Sequence, residues 1–194
     1  MYEGLADPYC YAGATVLKNM RGLRQQAALD KFEAIATAKR AEEPLPTGAL
    51  GVRHYRAVHH HLYQDIYRWA GRFRTVRIGK AESMFCYPEH IPAQMRALFA
   101  NLRAKRFLRG LTPDAFAADA ARFLATLNAI HAFGDGNGRA QLAFLALLAG
   151  RAGHPLALDP LDPAAFLAAM IASFQGDERL LAGQIRNLIG RSGR

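Results

Sequence analysis

The segment HAFGDGNGR, residues 131–139, concentrates polar side chains and glycines between two runs that are almost wholly apolar. Glycine within a helix costs about 1 kcal/mol relative to alanine, so the three glycines predict a loop that separates two helices. His131 ends the first apolar run, and an imidazole, with an unperturbed pKa of about 6.5, can accept a proton at neutral pH. A polar loop between core helices is typical of a site that carries out chemistry.

The second half of this segment has the residues of an anion site. Asn137, Gly138 and Arg139 are predicted to begin the next helix, and helix N-termini bind anions through unpaired backbone N–H groups. Gly136 and Gly138 allow a close approach to the backbone, and Arg139 adds a positive charge. Asp135 is compatible with a bound phosphate if Mg²⁺ lies between the two. A base, a metal ligand and an anion site within nine residues predict a phosphate-transfer site.

Each of these residues, considered alone, has a simpler structural explanation. His131 could be a helix C-terminal cap, Arg139 a surface residue and the glycines parts of an ordinary turn. The functional interpretation depends on their combination, because a plain turn needs none of the four polar residue types that occur here together.

The same segment resembles the signature of the Fic family, His-Pro-Phe-x-(Asp/Glu)-Gly-Asn-Gly-Arg-x-x-Arg. Residues 62–91, LYQDIYRWAGRFRTVRIGKAESMFCYPEHI, resemble the end of a helix and the flap hairpin of that family. Residues 2–19, YEGLADPYCYAGATVLKN, are similar to the start of Fic toxins from bacterial toxin–antitoxin pairs. The resemblance extends over nearly the whole chain and implies a single Fic domain over residues 1–194.

The resemblance implies protein adenylylation, in which AMP passes from ATP to a Tyr, Ser or Thr hydroxyl of a target protein and pyrophosphate is released. By position, His131 would be the general base and Phe133 the core anchor of the loop. Asp135 would bind Mg²⁺, and Arg139 would contact the β-phosphate. The anion hole would be formed by Gly136, Asn137 and Gly138.

The resemblance also implies how partners bind. The flap, at about residues 73–87, would align the target by strand addition along an unpaired strand edge at Ile78, Gly79 and Lys80. The target would be a protein with a hydroxyl side chain, for which a type II topoisomerase subunit is one candidate. Inhibition would come from a small separate antitoxin with the motif Ser/Thr-x-x-x-Glu, because no Ser or Thr of this chain has Glu four positions later.

Two residues depart from the family signature. Ala132 replaces the proline, which removes no chemical group but makes the chain after His131 less rigid. Leu142 replaces the second arginine, which in the family reaches the γ-phosphate, so either the affinity for ATP is reduced or another basic side chain compensates. These two departures leave open a non-catalytic interaction module. A second alternative is a Fic relative that transfers phosphate or another nucleotide moiety, although the changes that accompany those reactions, Ala or Lys in the GNGR stretch, are absent here.

Hydrophobic periodicity predicts an all-α bundle with one small β-hairpin. The predicted helices are 24–43, 52–69, 91–105, 114–129, 137–150, 163–174 and 178–190. The segment RFRTVRIGK, residues 72–80, alternates over 73–78 in the manner of a strand, and residues 84–88, after a turn at 80–82, are the predicted hairpin partner. The three consecutive histidines at 59–61 are predicted to lie on the surface, since neighbouring helical residues face different sides.

The composition is that of a globular, arginine-rich protein. Of its residues, 51% are hydrophobic and 21% are charged. The length of 194 residues is sufficient for one domain with a substantial core. The net charge is +9, but the basic residues are scattered, which favours a solvated surface over direct nucleic-acid binding. No apolar run reaches the ~18 residues of a membrane span, and the N-terminus has no secretory signal pattern. We therefore expect a cytoplasmic bacterial protein with two reduced cysteines.

Overall fold

The structure, a computed structural model, describes residues 7–80 and 83–190, so residues 2–6 of the toxin-like segment lie outside the described residues. Within these ranges the chain forms seven α-helices and a two-stranded antiparallel sheet, which confirms the predicted all-α fold. The elements are α1 (Gln26–Glu42), α2 (Val52–Tyr63), β1 (Gly79–Lys80), β2 (Ser83–Met84), α3 (Ile91–Ala104), α4 (Pro113–Ile130), α5 (Asn137–Ala152), α6 (Pro163–Phe174) and α7 (Arg179–Leu188). None of the described helices combines the length and the hydropathy needed to cross a bilayer.

Helix α4 is the central helix of the bundle. It contacts α3, α5, α6 and α7, and its nine buried residues are all apolar. Its start is defined by Thr112, whose side chain accepts a hydrogen bond from Ala115 N–H at 3.4 Å, and by Pro113 in the first turn. A helix that is apolar on most sides has to be surrounded by others. The C-terminal end of α4 leads directly into the polar loop.

An aromatic cluster joins α2, α3 and α5 to that loop. The ring centroids of Tyr55 and Phe144 are 5.5 Å apart, and Phe99 lies 5.5 Å from Phe144. Tyr55 also contacts the loop residue Phe133, with a centroid distance of 5.2 Å. Aromatic pairs at these separations are favourable beyond the area that they bury. The loop is therefore packed against α2 through Tyr55, and the same cluster extends to α3 and to α5.

The hairpin is shorter than predicted, because β1 and β2 have two residues each. The strands pair Gly79 with Met84 and Lys80 with Ser83. Of the predicted strand over residues 72–80, only Gly79 and Lys80 are in a strand, and the prediction was wrong for the residues before them. In this arm, Arg74 N–H donates to the Ala132 carbonyl at 2.9 Å, so the backbone binds the loop after α4 instead of an opposing strand. Alternation reports which side chains face inward, and it does not identify the hydrogen-bonding partner of the backbone.

Helix α2 ends at Tyr63, whereas the prediction extended it to residue 69. The N–H groups of Ile66 and Tyr67 both donate to the Tyr63 carbonyl at 3.0 Å and form a turn. Met20 N–H donates to the Ile66 carbonyl at 2.8 Å, which fixes the turn against the N-terminal segment. Ile66 and Tyr67 stay buried through this turn, so the apolar spacing continues although the helix does not.

Candidate active site

The loop between α4 and α5 begins with His131 in the left-handed backbone region, at φ 48° and ψ 62°. This conformation is unfavourable for a residue with a Cβ atom, and it ends α4. His131 N–H closes the last turn by donating to the Leu127 carbonyl at 3.1 Å. The imidazole ring stacks on Phe85 of the hairpin, with centroids 3.8 Å apart and planes inclined by 11°. Both the backbone and the ring of His131 are therefore held in place.

A buried arginine from the hairpin binds the backbone around His131. Arg74 is 2% exposed, and its Nε donates to the His131 carbonyl at 2.7 Å while Nη2 donates to the Ile130 carbonyl at 3.3 Å. The same guanidinium donates to the carbonyls of Val76 and Cys86 in the hairpin, at 2.6 and 2.5 Å. Sequence analysis missed this residue, although its place on the inward face of the alternating segment was a usable signal.

Asn137 closes the loop through two hydrogen bonds to one residue. Its Oδ1 accepts from Phe133 N–H at 3.0 Å, and its Nδ2 donates to the Phe133 carbonyl at 2.9 Å. Both residues are buried, Phe133 fully, and the phenyl ring lies 3.8 Å from the His59 ring between centroids. The Asn137 side chain thus holds the loop, and an anion would have to bind the backbone N–H groups at the start of α5.

Gly136 and Gly138 differ in what surrounds them. Gly136 has φ 75°, and a Cβ atom there would lie 2.3 Å from the Tyr63 ring, so only glycine fits. Gly136 N–H donates to Asp135 Oδ1 at 2.6 Å, and Asp135 is exposed. Apart from its chain neighbours and the backbone of α5, no atom of the residues that the structure describes lies within 4 Å of a Cβ atom at Gly138, so the space beside the start of α5 is open. A phosphate group has room to approach there.

Arg139 projects from the first turn of α5 and is held by groups from α1 and α2. Its Nη1 donates to the Tyr63 hydroxyl at 2.9 Å and lies 3.7 Å from Glu33 Oε2. Glu33 is 8% exposed and accepts a hydrogen bond from the Tyr67 hydroxyl. Burial raises the pKa of Glu33, against the opposing effect of the Tyr67 hydrogen bond. Half of the Arg139 side chain stays exposed, which leaves it available to a ligand.

Sequence analysis also missed Glu33, Tyr63 and Tyr67. Glu33 lies one turn after Leu29 and one turn before Thr37, and all three residues are buried. A carboxylate on the buried face of a helix is unusual without a partner, so this position was a detectable signal.

The surface prediction for the histidine run was wrong for His59. This residue is fully buried, and its Nδ1 accepts from Gly71 N–H at 2.9 Å. Its Nε2 therefore carries the proton and donates to the Asp135 carbonyl at 2.9 Å. Burial lowers the pKa of His59 to about 4, so the ring is neutral at physiological pH. His60 is exposed, so His59 and His60 face different sides of the helix, as predicted for neighbouring residues.

The expected docking residues Ile78, Gly79 and Lys80 lie in the same hairpin segment as Phe85, whose ring stacks on His131. Gly79 and Lys80 form β1, and Ile78 precedes them, its carbonyl accepting from Phe85 N–H at 3.3 Å. One edge of β1 pairs with β2, and no further strand within residues 7–80 and 83–190 pairs with its other edge. An extended peptide could therefore add to this edge.

The donor set at the loop fits Mg²⁺ in an ATP complex. This ion is usually held by one or two carboxylates together with substrate phosphates and water. Asp135 supplies one exposed carboxylate next to the open space at Gly138. Leu142, one turn after Arg139, is half-buried and cannot bind a phosphate. Ala132 is buried, and its carbonyl accepts the hydrogen bond from Arg74 N–H that limits motion of the loop.

Comparison with known families and proteins gives consistent matches. The model of the family described as Fic/DOC matches residues 49–149, which include α2, the hairpin and the loop. A probable protein adenylyltransferase, y4lH of Sinorhizobium fredii, is 48% identical over 97% of this chain and 98% of its own length. The probable protein adenylyltransferase Fic of Escherichia coli is 32% identical over 96% of this chain and 94% of its own length.

Solved structures have the same fold. BepC of Bartonella tribocorum with bound AMPPNP superposes with a TM-score of 0.85 at 24% identity, covering 95% of this chain and 97% of BepC. The N-terminal Fic domain of a cell filamentation protein of Bartonella quintana, with bound ADP, has a TM-score of 0.84 at 26% identity. That match covers 93% of each chain.

Proposed function

Because this chain belongs to the Fic/DOC family, we infer that it is a protein adenylyltransferase, which transfers AMP from ATP to a hydroxyl group of a target protein. The observation that carries this inference is the loop after α4. There a histidine with a fixed backbone and ring lies in one short segment with an exposed carboxylate, an open helix N-terminus and a half-exposed arginine. The names of the relatives with 48% and 32% identity support the same activity.

In the proposed reaction, His131 accepts the proton of the target hydroxyl as its oxygen attacks the α-phosphorus of ATP. The new oxygen–phosphorus bond forms while the bond between the α-phosphorus and the bridging oxygen breaks. Pyrophosphate leaves with the bonding electron pair, and AMP stays on the target. The fixed position of the imidazole lowers the entropic cost of this step, because base and nucleophile meet in one geometry.

The nucleotide is bound at the start of α5 in this proposal. The segment Gly136, Asn137 and Gly138 forms the anion hole, in which the N–H groups of Asn137 and Gly138 face the phosphates and the helix dipole favours their negative charge. Gly136 N–H, which donates to Asp135 Oδ1, joins them only after it leaves that carboxylate. Arg139 pairs with the β-phosphate, and Asp135 holds Mg²⁺. When bound, the ion neutralises the phosphate oxygens on which charge accumulates in the reaction.

The target protein binds along the free edge of β1. Main-chain hydrogen bonds to Ile78, Gly79 and Lys80 align an extended segment, so its sequence matters less than its backbone. This docking brings a hydroxyl side chain of the segment towards His131. A type II topoisomerase subunit is one candidate target, and the bacterial cytoplasm is the expected place of action.

Leu142 favours a second candidate function. Without the second signature arginine, the γ-phosphate lacks one cationic partner. A chain that binds ATP poorly would act as an interaction module that captures its partner through the flap and transfers nothing.

We expect the purified chain to transfer radioactivity to a protein of a bacterial lysate from α-labelled ATP and not from γ-labelled ATP. The variant His131→Ala is expected to lower this transfer by roughly 100- to 10,000-fold, because the proton acceptor is lost. The matched control is His60→Ala, which removes an exposed histidine of α2. Gel autoradiography measures the label, and circular dichroism checks the helical content.

The two labels separate the candidate functions. Transfer of the γ-label would indicate phosphorylation and contradict adenylylation. No transfer of either label, together with capture of a lysate protein, would favour the interaction module. Undiminished α-label transfer by His131→Ala would remove this residue from the mechanism.

We also propose that the chain is a growth-inhibiting toxin held inactive by a separate antitoxin. None of the Ser or Thr residues in the 194-residue sequence is followed by Glu four positions later, so the sequence lacks the motif Ser/Thr-x-x-x-Glu. A small partner that carries the motif would supply the inhibitory glutamate, which would have to pair with Arg139 or with backbone donors because Leu142 offers no charge.

A further inference from the structure

We propose that Arg74 is a positioning residue that joins the flap and the candidate general base into one unit. A target docked on the flap is thereby held with its hydroxyl at a fixed distance from the His131 imidazole. This inference rests on the proposed function, in which His131 is the base and the hairpin is the docking site.

The guanidinium of Arg74 connects two segments that are far apart in the sequence. On one side it donates to the carbonyls of Ile130 and His131, and on the other side to those of Val76 and Cys86. All four acceptors are backbone atoms, and both arms of the hairpin are included. Arginine suits this task because its planar group carries five N–H donors with fixed directions.

Arg74 also completes the end of α4. The last carbonyls of a helix have no partner within the helix, and the C-terminal end carries partial negative charge. The last turn of α4 contains no basic residue of its own. Arg74 supplies the missing donors and positive charge at Ile130 and His131, where the chain enters the left-handed conformation. The geometry of His131 thus depends on a residue of the flap.

Three further contacts attach the flap to the end of α4 and the start of the loop that follows it. Arg74 N–H donates to the Ala132 carbonyl at 2.9 Å, and Cys86 N–H donates to the Ala129 carbonyl at 3.1 Å. The Phe85 ring covers the His131 imidazole, and its edge meets Phe174 at the end of α6 with centroids 5.7 Å apart. Backbone, cation and aromatic ring therefore hold the flap and the loop together from both arms of the hairpin.

The consequence concerns the accuracy of catalysis. A peptide that adds to β1 takes its register from the hairpin, and the hairpin is bound to the backbone of His131. The distance between the target hydroxyl and the imidazole is then a property of one rigid unit. A misplacement of about 1 Å can lower the rate about 100-fold, so loosening the connection should be visible in kcat.

The variant Arg74→Lys tests this role while it keeps the positive charge. A lysine ammonium cannot reach carbonyls on both sides as the guanidinium does. We expect kcat for AMP transfer to fall about 100-fold with an unchanged KM for ATP, because the guanidinium donates to backbone carbonyls of the flap and of the end of α4. The control is Arg72→Lys, the same change at an exposed position two residues earlier.

Hydrogen exchange gives a readout that does not require activity. In Arg74→Lys, the amides of Cys86 and His131 should exchange faster together, while amides within α3 keep their protection. The variant Phe85→Leu removes only the ring contact and should likewise lower kcat at constant KM for ATP. It decides the question if Arg74→Lys does not fold.

The outcomes are distinguishable from failure of the proposed function. A wild-type chain that transfers no AMP overturns the proposed function, and the exchange experiment then still decides whether Arg74 couples the two segments. Undiminished kcat in Arg74→Lys, or a higher KM for ATP with unchanged kcat, overturns the positioning role. Faster exchange at Cys86 with full protection at His131 overturns the coupling.

Discussion

At the scale of single residues, His131 combines an unfavourable backbone conformation with a dense set of contacts. The left-handed conformation costs a non-glycine residue roughly 1–2 kcal/mol. In this chain the cost is offset by the hydrogen bonds to the His131 and Ile130 carbonyls and by the ring of Phe85. Such backbone conformations persist only where the surroundings enforce them, and they are concentrated at functional sites. Alanine or leucine at this position would have the same strain without any gain in chemistry.

Leu142 offers a residue-scale prediction about the nucleotide. The variant Leu142→Arg places a guanidinium one helical turn after Arg139, on the same face of α5. A charge-assisted hydrogen bond contributes roughly 1.5–3 kcal/mol, so we expect calorimetry to show ATP binding tightened by about 10- to 100-fold. The effect should be smaller for ADP, which lacks the γ-phosphate.

A matched control separates this contact from a general effect of charge. Ala146→Arg adds the same side chain one turn further along α5, about 6 Å from position 142 along the axis. It should leave the affinity close to that of the wild type. Equal tightening by both variants, or no tightening by Leu142→Arg, would contradict a γ-phosphate site beside position 142.

At the scale of the elements, α1 contributes to the site through one buried carboxylate. Glu33 is within 3.7 Å of Arg139 and accepts a hydrogen bond from Tyr67 in the turn after α2. Burial raises its pKa, so the folded state binds this proton more tightly than the unfolded state does. Stability therefore falls as the pH rises from the unfolded pKa, about 4.3, through the folded value. Glu33 therefore lowers the stability at neutral pH, and the same side chain orients Arg139.

The variant Glu33→Gln is expected to separate stability from activity. It keeps an acceptor for Tyr67 and removes the buried charge, so the free energy of unfolding should rise at pH 7. Above about pH 4.3, the free energy of unfolding of this variant should decrease less with rising pH than that of the wild type. AMP transfer should become slower, because Arg139 loses its ionic partner. Thermal unfolding at several pH values and the label-transfer assay measure the two effects.

The control for this experiment is Glu42→Gln, at an exposed position of the same helix. It should change neither the pH dependence of unfolding nor the transfer rate. Lower stability of Glu33→Gln at pH 7 would mean that the ion pair with Arg139 outweighs the cost of burial, and faster transfer would mean that Glu33 hinders phosphate binding.

The elements also show why only part of the site was predictable. Helices α4 and α5 follow from local signals, since Thr112 and Pro113 begin one and the apolar periodicity continues to their ends. The loop between them is local too, and its residue types predict its chemistry. The roles of Arg74 and His59 depend on partners more than 50 positions away in the sequence, at Ile130–His131 and at Asp135. No periodicity of a single segment reports such contacts.

At the scale of the whole molecule, the excess of basic residues affects ligands more than the fold. The net charge of +9 creates a positive potential around the protein, which attracts ATP and acidic partners at low ionic strength. Exposed pairs such as Arg186–Asp114, with 2.6 Å between Nε and Oδ1, contribute little to stability because solvent screens them. A small acidic antitoxin would be favoured by the same potential.

The toxin proposal predicts a growth phenotype. Expression of the chain alone in bacteria should slow growth, because AMP transfer to an essential protein would inactivate it. His131→Ala should restore growth at the same protein level, and the neighbouring reading frame should encode a short protein with Ser/Thr-x-x-x-Glu. Growth curves with immunoblots make the measurement. Normal growth at high wild-type levels, with no such neighbour, would contradict the toxin proposal and favour the interaction module.

The two hydrogen bonds between Asn137 and the backbone of Phe133 have an energetic consequence for the first encounter with a nucleotide. Since the side chain already closes the loop, ligand binding does not have to order it, and little conformational entropy is lost at that step. In a preorganised loop of this kind, more of the free energy of the contacts is available for binding. Because position 142 is leucine, the nucleotide has one guanidinium fewer to bind, and the smaller entropy loss partly compensates for that missing contact.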